Sequence, residues 1–260
     1  MRRSALRIWP GEQVAPDAAG SRLGGRPLAA PGTSWPTWEG DPLDLLAQID
    51  LVEVARLLPG NPLPDHGLLS FFYDTKTPAW GVVPSDPAGW RVRWERGPVE
   101  PIALPEGWGM FPAREVRWEP LVTLPRATEE YVDFIEAMED TSTTKARSAL
   151  DDAIGPGPAH HQLLGWPHLL QGSMHWSCQK ESTFHRGDRP QYHPDASLTQ
   201  DDWDELETDT RSADWQLLLQ LGSEEMPGWC WGDGGGLYFW IRRADLAARR
   251  FDQVWTVMQC

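Results

Sequence analysis

Short apolar runs broken by dense glycine and proline set the pattern of this chain. From Ser21 onward, Gly24-Gly25, Pro27, Pro31-Gly32, Pro36, Gly40 and Pro42 cut it into short pieces. The run Asp44–Asp50 fits a strand or a helix on spacing alone. Its continuation has apolar residues at 51, 52, 54, 57 and 58, which predicts a short helix ended by Pro59-Gly60. Leu68–Tyr73 predicts a strand between His66-Gly67 and Asp74. Trp90-Arg-Val-Arg-Trp94 alternates large apolar residues with arginine, the period-2 signature of a half-buried strand. Val116–Leu124 reads as another strand, kinked or at an edge because Pro120 cannot donate to a ladder.

Helical spacing appears first after Pro125. Thr128 is the expected N-cap, with Glu129 and Glu130 in the first turn and Tyr131, Phe134, Ile135 and Met138 on one face. Ala146, Leu150 and Ile154 predict a second helix, closed by Gly155-Pro-Gly-Pro158. Thr199–Glu207 reads as a capped acidic helix. Trp215–Leu221 and Leu237–Ile241 predict strands, followed by a short helix over 244–250 and a last strand, Val254–Met258. Residues 1–20 show little periodicity and read as a loosely docked arm.

Three pairs of segments echo each other in order. Arg22-Leu-Gly-Gly-Arg-Pro27 resembles Gln162-Leu-Leu-Gly-Trp-Pro167. Leu46–Asp50 resembles Leu218–Gly222, and Leu69–Phe72 resembles Leu237–Trp240, at separations of 140, 172 and 168 residues. The echo makes 46–49 a strand. It predicts an α+β fold of two homologous, mainly antiparallel β-sheet halves related by a pseudo-twofold, with a few short helices. The expected division is an arm over 1–20, a first half over 21–158 and a second over 159–260.

Composition narrows the partners. The 260 residues hold 23 Lys and Arg against 38 Asp and Glu, a formal charge of −15. Affinity for nucleic acid rests on Lys and Arg contacts to phosphate, so neither nucleic acid nor an anionic membrane suits this chain. The densest basic cluster, Arg242, Arg243, Arg249 and Arg250, fits a solvated helix face. The same charge would steer a basic protein partner toward it. No run of ~20 apolar residues is present to span a bilayer. Met1–Pro10 carries charge with no apolar stretch behind it, and Cys178, Cys230 and Cys260 lie far apart. The expectation is a soluble cytoplasmic protein with reduced thiols.

Three constellations carry candidate chemistry. His160, His161, His168, His175, Cys178, His185 and His193 lie close together, but no second pair completes a zinc tetrahedron at familiar spacing, and no metal or cofactor is expected. Gln48 and Gln220 stand within apolar strands and need partners if buried. Gln171, after the Leu-Gly-Trp-Pro element, is a further candidate; either Gln48 and Gln220 meet near the pseudo-twofold and line a polar cleft, or each caps the turn of its own half, and we favour the second. Gly228–Gly236 carries Trp229, Trp231 and Asp233. It is either a tight hairpin or a loop in which the two indoles stack on a ligand ring. It is not a phosphate loop, because it lacks the Lys-Ser/Thr ending. No Gly-x-Ser-x-Gly elbow occurs, and Asp201–Asp214 lacks a calcium-loop pattern.

The Leu-Gly-Gly-x-Pro element, the Leu-x-Gln-Ile-Asp strand, Leu-Gly-Trp-Pro-x-x-Leu-Gln and the closing Trp-Gly-Asp-Gly-Gly-Gly-Leu-Tyr-Phe-Trp-Ile resemble the YwqG-like family over roughly residues 20–260. The resemblance implies a bacterial, soluble α+β protein of two related β-rich halves, with no activity attached. Gly222 departs from it by replacing an acidic residue. The function expected is a non-catalytic binding or protein-interaction module with Trp229, Trp231 and Trp108 as recognition residues on an acidic surface. An immunity protein against a basic toxin is one example. The alternative is a hydrolase-like site between the halves, using His161, Asp233 or Cys178. Trp166, Trp215 and Trp240 are assigned to the core.

Overall fold

A computed structural model describes residues 2–81, 89–125, 160–186, 210–225 and 227–260. Among them the chain runs β1 (Arg3–Gln13), β2 (Arg22–Leu23), β3 (Leu28–Ala29), β4 (Thr37–Trp38), β5 (Asp41–Pro42), β6 (Asp44–Asp50), α1 (Leu51–Leu57), β7 (Leu68–Tyr73), β8 (Trp90–Glu95), β9 (Glu100–Pro101) and β10 (Arg114–Thr123). It continues with β11 (His161–Leu163), α2 (His175–Arg186), β12 (Trp215–Gly222), β13 (Gly236–Arg242), α3 (Arg243–Ala247) and β14 (Trp255–Gln259). The helices expected over 128–138, 146–154 and 199–207, the Gly155–Pro158 closure and the division at 158/159 lie outside the described residues.

Ten strands form one antiparallel sheet in the order β14-β13-β12-β11-β1-β10-β2-β6-β7-β8. The fold is mostly β and its sheet is continuous, which corrects the expectation of an α+β protein in two sheet halves. The residues expected to be a loose arm are the reason. They form β1, which pairs with β10 from Arg3↔Thr123 to Gln13↔Arg114 and with β11 at 6–8. Ala5, Leu6 and Ile8 are buried in this central ribbon.

The sheet curls until its outer strands meet. Phe71 on β7 packs edge-on against Phe239 on β13, with centroids 5.2 Å apart. The Trp90 indole N–H donates to the Val254 carbonyl at 2.9 Å, and its ring meets Trp255 at 5.4 Å. Residues 79–81 run beside β14, where Met258 N–H donates to the Trp80 carbonyl and the Trp255 indole to that of Gly81. Gly81 has φ +76°, and a methyl there would overlap the Thr256 carbonyl oxygen. Gly81→Ala is therefore expected to cost at least about 2 kcal/mol, read from urea unfolding, because left-handed strain adds to the clash. A loss under about 0.5 kcal/mol would show that this crossing is loose.

Local chemistry explains the elements that match the sequence pattern. Asp50 caps α1 by accepting from Val52 N–H at 2.9 Å, Glu53 sits in its first turn, and Pro59 follows its end. Val116 donates its N–H to Ser21, away from β1, so alternate residues Trp118, Pro120 and Val122 also direct their backbone groups away from β1. Pro120 thus removes no bond from the β1–β10 ladder. Helix α2 breaks the sequence rule of an apolar stripe, because Gln179, Ser182 and Thr183 are buried in it. Gln179 Oε1 accepts from the Trp215 indole and from Arg242, both at 3.1 Å, and Arg242 also donates to Ser182 Oγ at 3.1 Å. No helix among the described residues is long and apolar enough to cross a membrane.

Candidate functional site

One end of the curled sheet is filled by an aromatic group that joins three of the expected site residues. Strand β11 sets His161 opposite Ile8, with its ring inside the protein. Its Nδ1 accepts the Gly222 N–H at 3.1 Å, which puts the ring proton on Nε2, 3.8 Å from the Glu224 carboxylate. Burial, aided by nearby His160, lowers its pKa from 6.5 to about 4. The loop after β12 folds over this ring. Ser223 Oγ donates to the Gly235 carbonyl and accepts the Trp231 N–H at 2.8 Å. Trp229 then meets His161 and Phe111 edge-on and stacks on Trp231 at 5.9 Å, and Trp231 meets Tyr73 at 5.7 Å.

These contacts change the reading of the two indoles. Trp229 and Trp231 are 4% and 1% exposed, so they are packed inside this end of the curled sheet and offer no stacking platform to solvent. Asp233 lies on the exposed tip of the same loop, between Gly232 and Gly234, whereas the His161 ring is buried. Trp108 is partly buried; it donates to Asp44 at 3.2 Å and carries Lys76 over its ring at 3.5 Å. Burial raises the Asp44 pKa.

The glutamines do not meet. Four strands separate β6 from β12 in the sheet. Gln48 accepts from Leu28 N–H at 3.1 Å and donates to the Leu28 carbonyl and Ser70 Oγ. Gln220 accepts from His168 N–H at 2.8 Å and donates to the His160 carbonyl at 2.8 Å. Each amide ties a Gly-x-Pro turn to its strand. Gln171 is exposed and donates to the Cys260 carbonyl at 2.5 Å. Cys178 is fully buried on the inner face of α2, and burial pushes its thiol well above the usual range. His161, Asp233 and Cys178 thus stand in three different surroundings. Among the described residues no group of three or more His, Cys, Asp or Glu is placed to hold a metal; the His185 side chain and His193 lie outside them.

A cleft of about 310 Å³ opens elsewhere, between the start of β1, the loop after α1, the turn after β11 and the start of β12. Its walls include Leu58, Pro62, Leu164 and Leu217, with Arg3, Ser4, Asn61 and Gln216 as polar lining. The frame is fixed. Asn61 bonds Leu58 and Leu63 within its own loop, Arg249 donates to the Pro62 carbonyl at 2.6 Å, and Arg3 lies over the Trp166 ring at 3.6 Å. Leu164 has φ 61°, and Gly24, the residue it matches in the sequence echo, has φ 64°. A leucine held left-handed costs about 1 kcal/mol, and Leu164 lines this cleft while its side chain belongs to the buried core. Sequence reasoning missed the cleft. The one available signal was leucine where the first turn has glycine.

No curated protein matches the chain. A family model described as Domain of unknown function (DUF1963) matches residues 21–260. With the match running from Ser21 to the last residue, the chain belongs to this family of unknown function.

Proposed function

We propose that this protein is a non-catalytic binding module of the cytoplasm, and that its ligand site is the cleft beside Leu164. The observation that carries the reading is the cleft itself: about 310 Å³ lies within the size range of small-molecule sites. Its rigid walls and the strained leucine support it further, since backbone strain persists where the surroundings enforce it. Leucine and proline walls beside one guanidinium and the polar groups of Asn61 and Gln216 suit a small carboxylate that has an apolar body. The motifs shared with the YwqG-like family support placing the protein there. The formal charge of −15 supports a basic protein as a second partner, reached by long-range steering; an immunity-like role is one form of that reading.

The test is a thermal-shift series with straight-chain carboxylates from acetate to hexanoate at millimolar concentration. One or more is expected to raise the melting temperature of the wild type. Ser4→Trp, a change at an exposed lining residue that fills the cleft, should abolish the shift. No shift with any of them, or an equal shift in the variant, would remove the cleft as the site.

A further inference from the structure

Two exposed cysteines flank one glycine. Cys230 donates its thiol to the Gly232 carbonyl at 3.3 Å. The Cys260 sulfur occupies the space where a side chain on Gly232 would stand. Both sulfurs therefore touch the same residue, and covalent geometry keeps them within roughly 10 Å of each other. Both cysteines are exposed, whereas Cys178 is buried. The backbone between them can adjust on one side only. Gly232 and Gly234 sit at φ 53° and 96° on the exposed tip of the loop. Cys260 is anchored: its carbonyl accepts from Gln171, and the preceding Gln259 side chain accepts from the N–H groups of Leu170 and Gln171.

We propose that Cys230 and Cys260 form a reversible disulfide by exchange with a low-molecular-weight disulfide of the glutathione class, and that the bond clamps the Trp229–Trp231 loop onto β14. The thiolate of one cysteine attacks the small disulfide, forms a mixed disulfide and expels one reduced thiol. The second cysteine gives up its proton, attacks the protein sulfur of the mixed disulfide and expels the second reduced thiol. Two electrons pass from the protein to the small disulfide, and two protons pass to its two sulfurs. A bond here needs the Cβ atoms about 3.5–4.5 Å apart, and Gly232, which both sulfurs touch, has no side chain to hold them apart. Because Trp229 and Trp231 lie on either side of Cys230, fixing that residue fixes the aromatic plug that covers His161.

The experiment treats the folded full chain with oxidised glutathione and follows intact mass, reactive thiols and amide hydrogen exchange. The expected product is lighter by about 2 Da, carries no glutathione, and shows no fast-reacting thiol until unfolding reveals Cys178. Peptide mapping should join residues 230 and 260, and exchange across 223–235 should slow, then recover with reductant. Cys230→Ser and Cys260→Ser should each stop at one glutathione adduct. A wild type that holds two glutathiones, forms covalent dimers or links Cys178 overturns the assignment. An internal bond that leaves exchange across 223–235 unchanged overturns the clamp.

Discussion

Gln220→Leu is expected to lower the unfolding free energy by about 2–5 kcal/mol, because each buried polar group left without its partner costs about 1–3 kcal/mol. Gln220 is fully buried, and its amide is the partner of both the His168 N–H and the His160 carbonyl. Leucine keeps nearly the same volume, so the loss reports the hydrogen bonds rather than a cavity. Gln48→Leu should behave alike, since it frees both backbone groups of Leu28 and the Ser70 hydroxyl. With four strands between the two sites, the losses should add within about 0.5 kcal/mol. Urea unfolding followed by circular dichroism checks all three proteins. If Gln220→Leu costs less than about 1 kcal/mol, the amide does not hold its turn.

Acidification should destabilise the protein through His161. In the folded state this imidazole takes a proton only near pH 4, because burial disfavours the cation. In the unfolded chain it does so near its ordinary value of 6.5. Between these limits the unfolded state binds a proton that the folded state refuses, so stability falls as pH drops from about 6.5 to about 4. The full loss is roughly 3 kcal/mol, from ~1.36 kcal/mol per pH unit across that window. A protonated ring would also lose Nδ1 as acceptor for Gly222, while the Glu224 carboxylate is 3.8 Å away and too solvated to compensate. His161→Asn keeps an acceptor for Gly222 but does not titrate. Its stability should be lower at pH 7, and its decline from pH 7 to pH 4 shallower than that of the wild type by about that amount. Parallel profiles for the two proteins would show that His161 is not held neutral.

Much of the sheet was legible because its strands carry their own pattern. β7, β8, β12, β13 and β14 are short apolar or alternating runs between turn residues, and α1 has both a cap and a stop. β1 was not legible. Pro10 and Gly11 interrupt it, and its burial comes from pairing with a strand more than a hundred residues away. Without it nothing in the sequence joins the two groups of strands, so a continuous sheet read as two halves. α2 escaped for a related reason: its buried face is polar, and Trp215 and Arg242, distant in sequence, help to satisfy it.

The candidate site divides along the same line. Gln48 and Gln220 were readable as turn devices because an amide in an apolar strand must find partners nearby. Trp229 and Trp231 were not readable, since their neighbours are glycines and only the fold turns the loop inward. The cleft is assembled from segments near residues 3, 60, 164 and 216, and no local window contains it.

The placement of Pro120 bears on how this protein behaves in crowded solution. Among the described residues β2 pairs only with 114 and 115 of β10, so the rest of that edge faces no described strand. A foreign strand laid there would find no donor at Pro120. The β1–β10 ribbon thereby offers a foreign strand one donor fewer along that edge, at no cost to its own ladder.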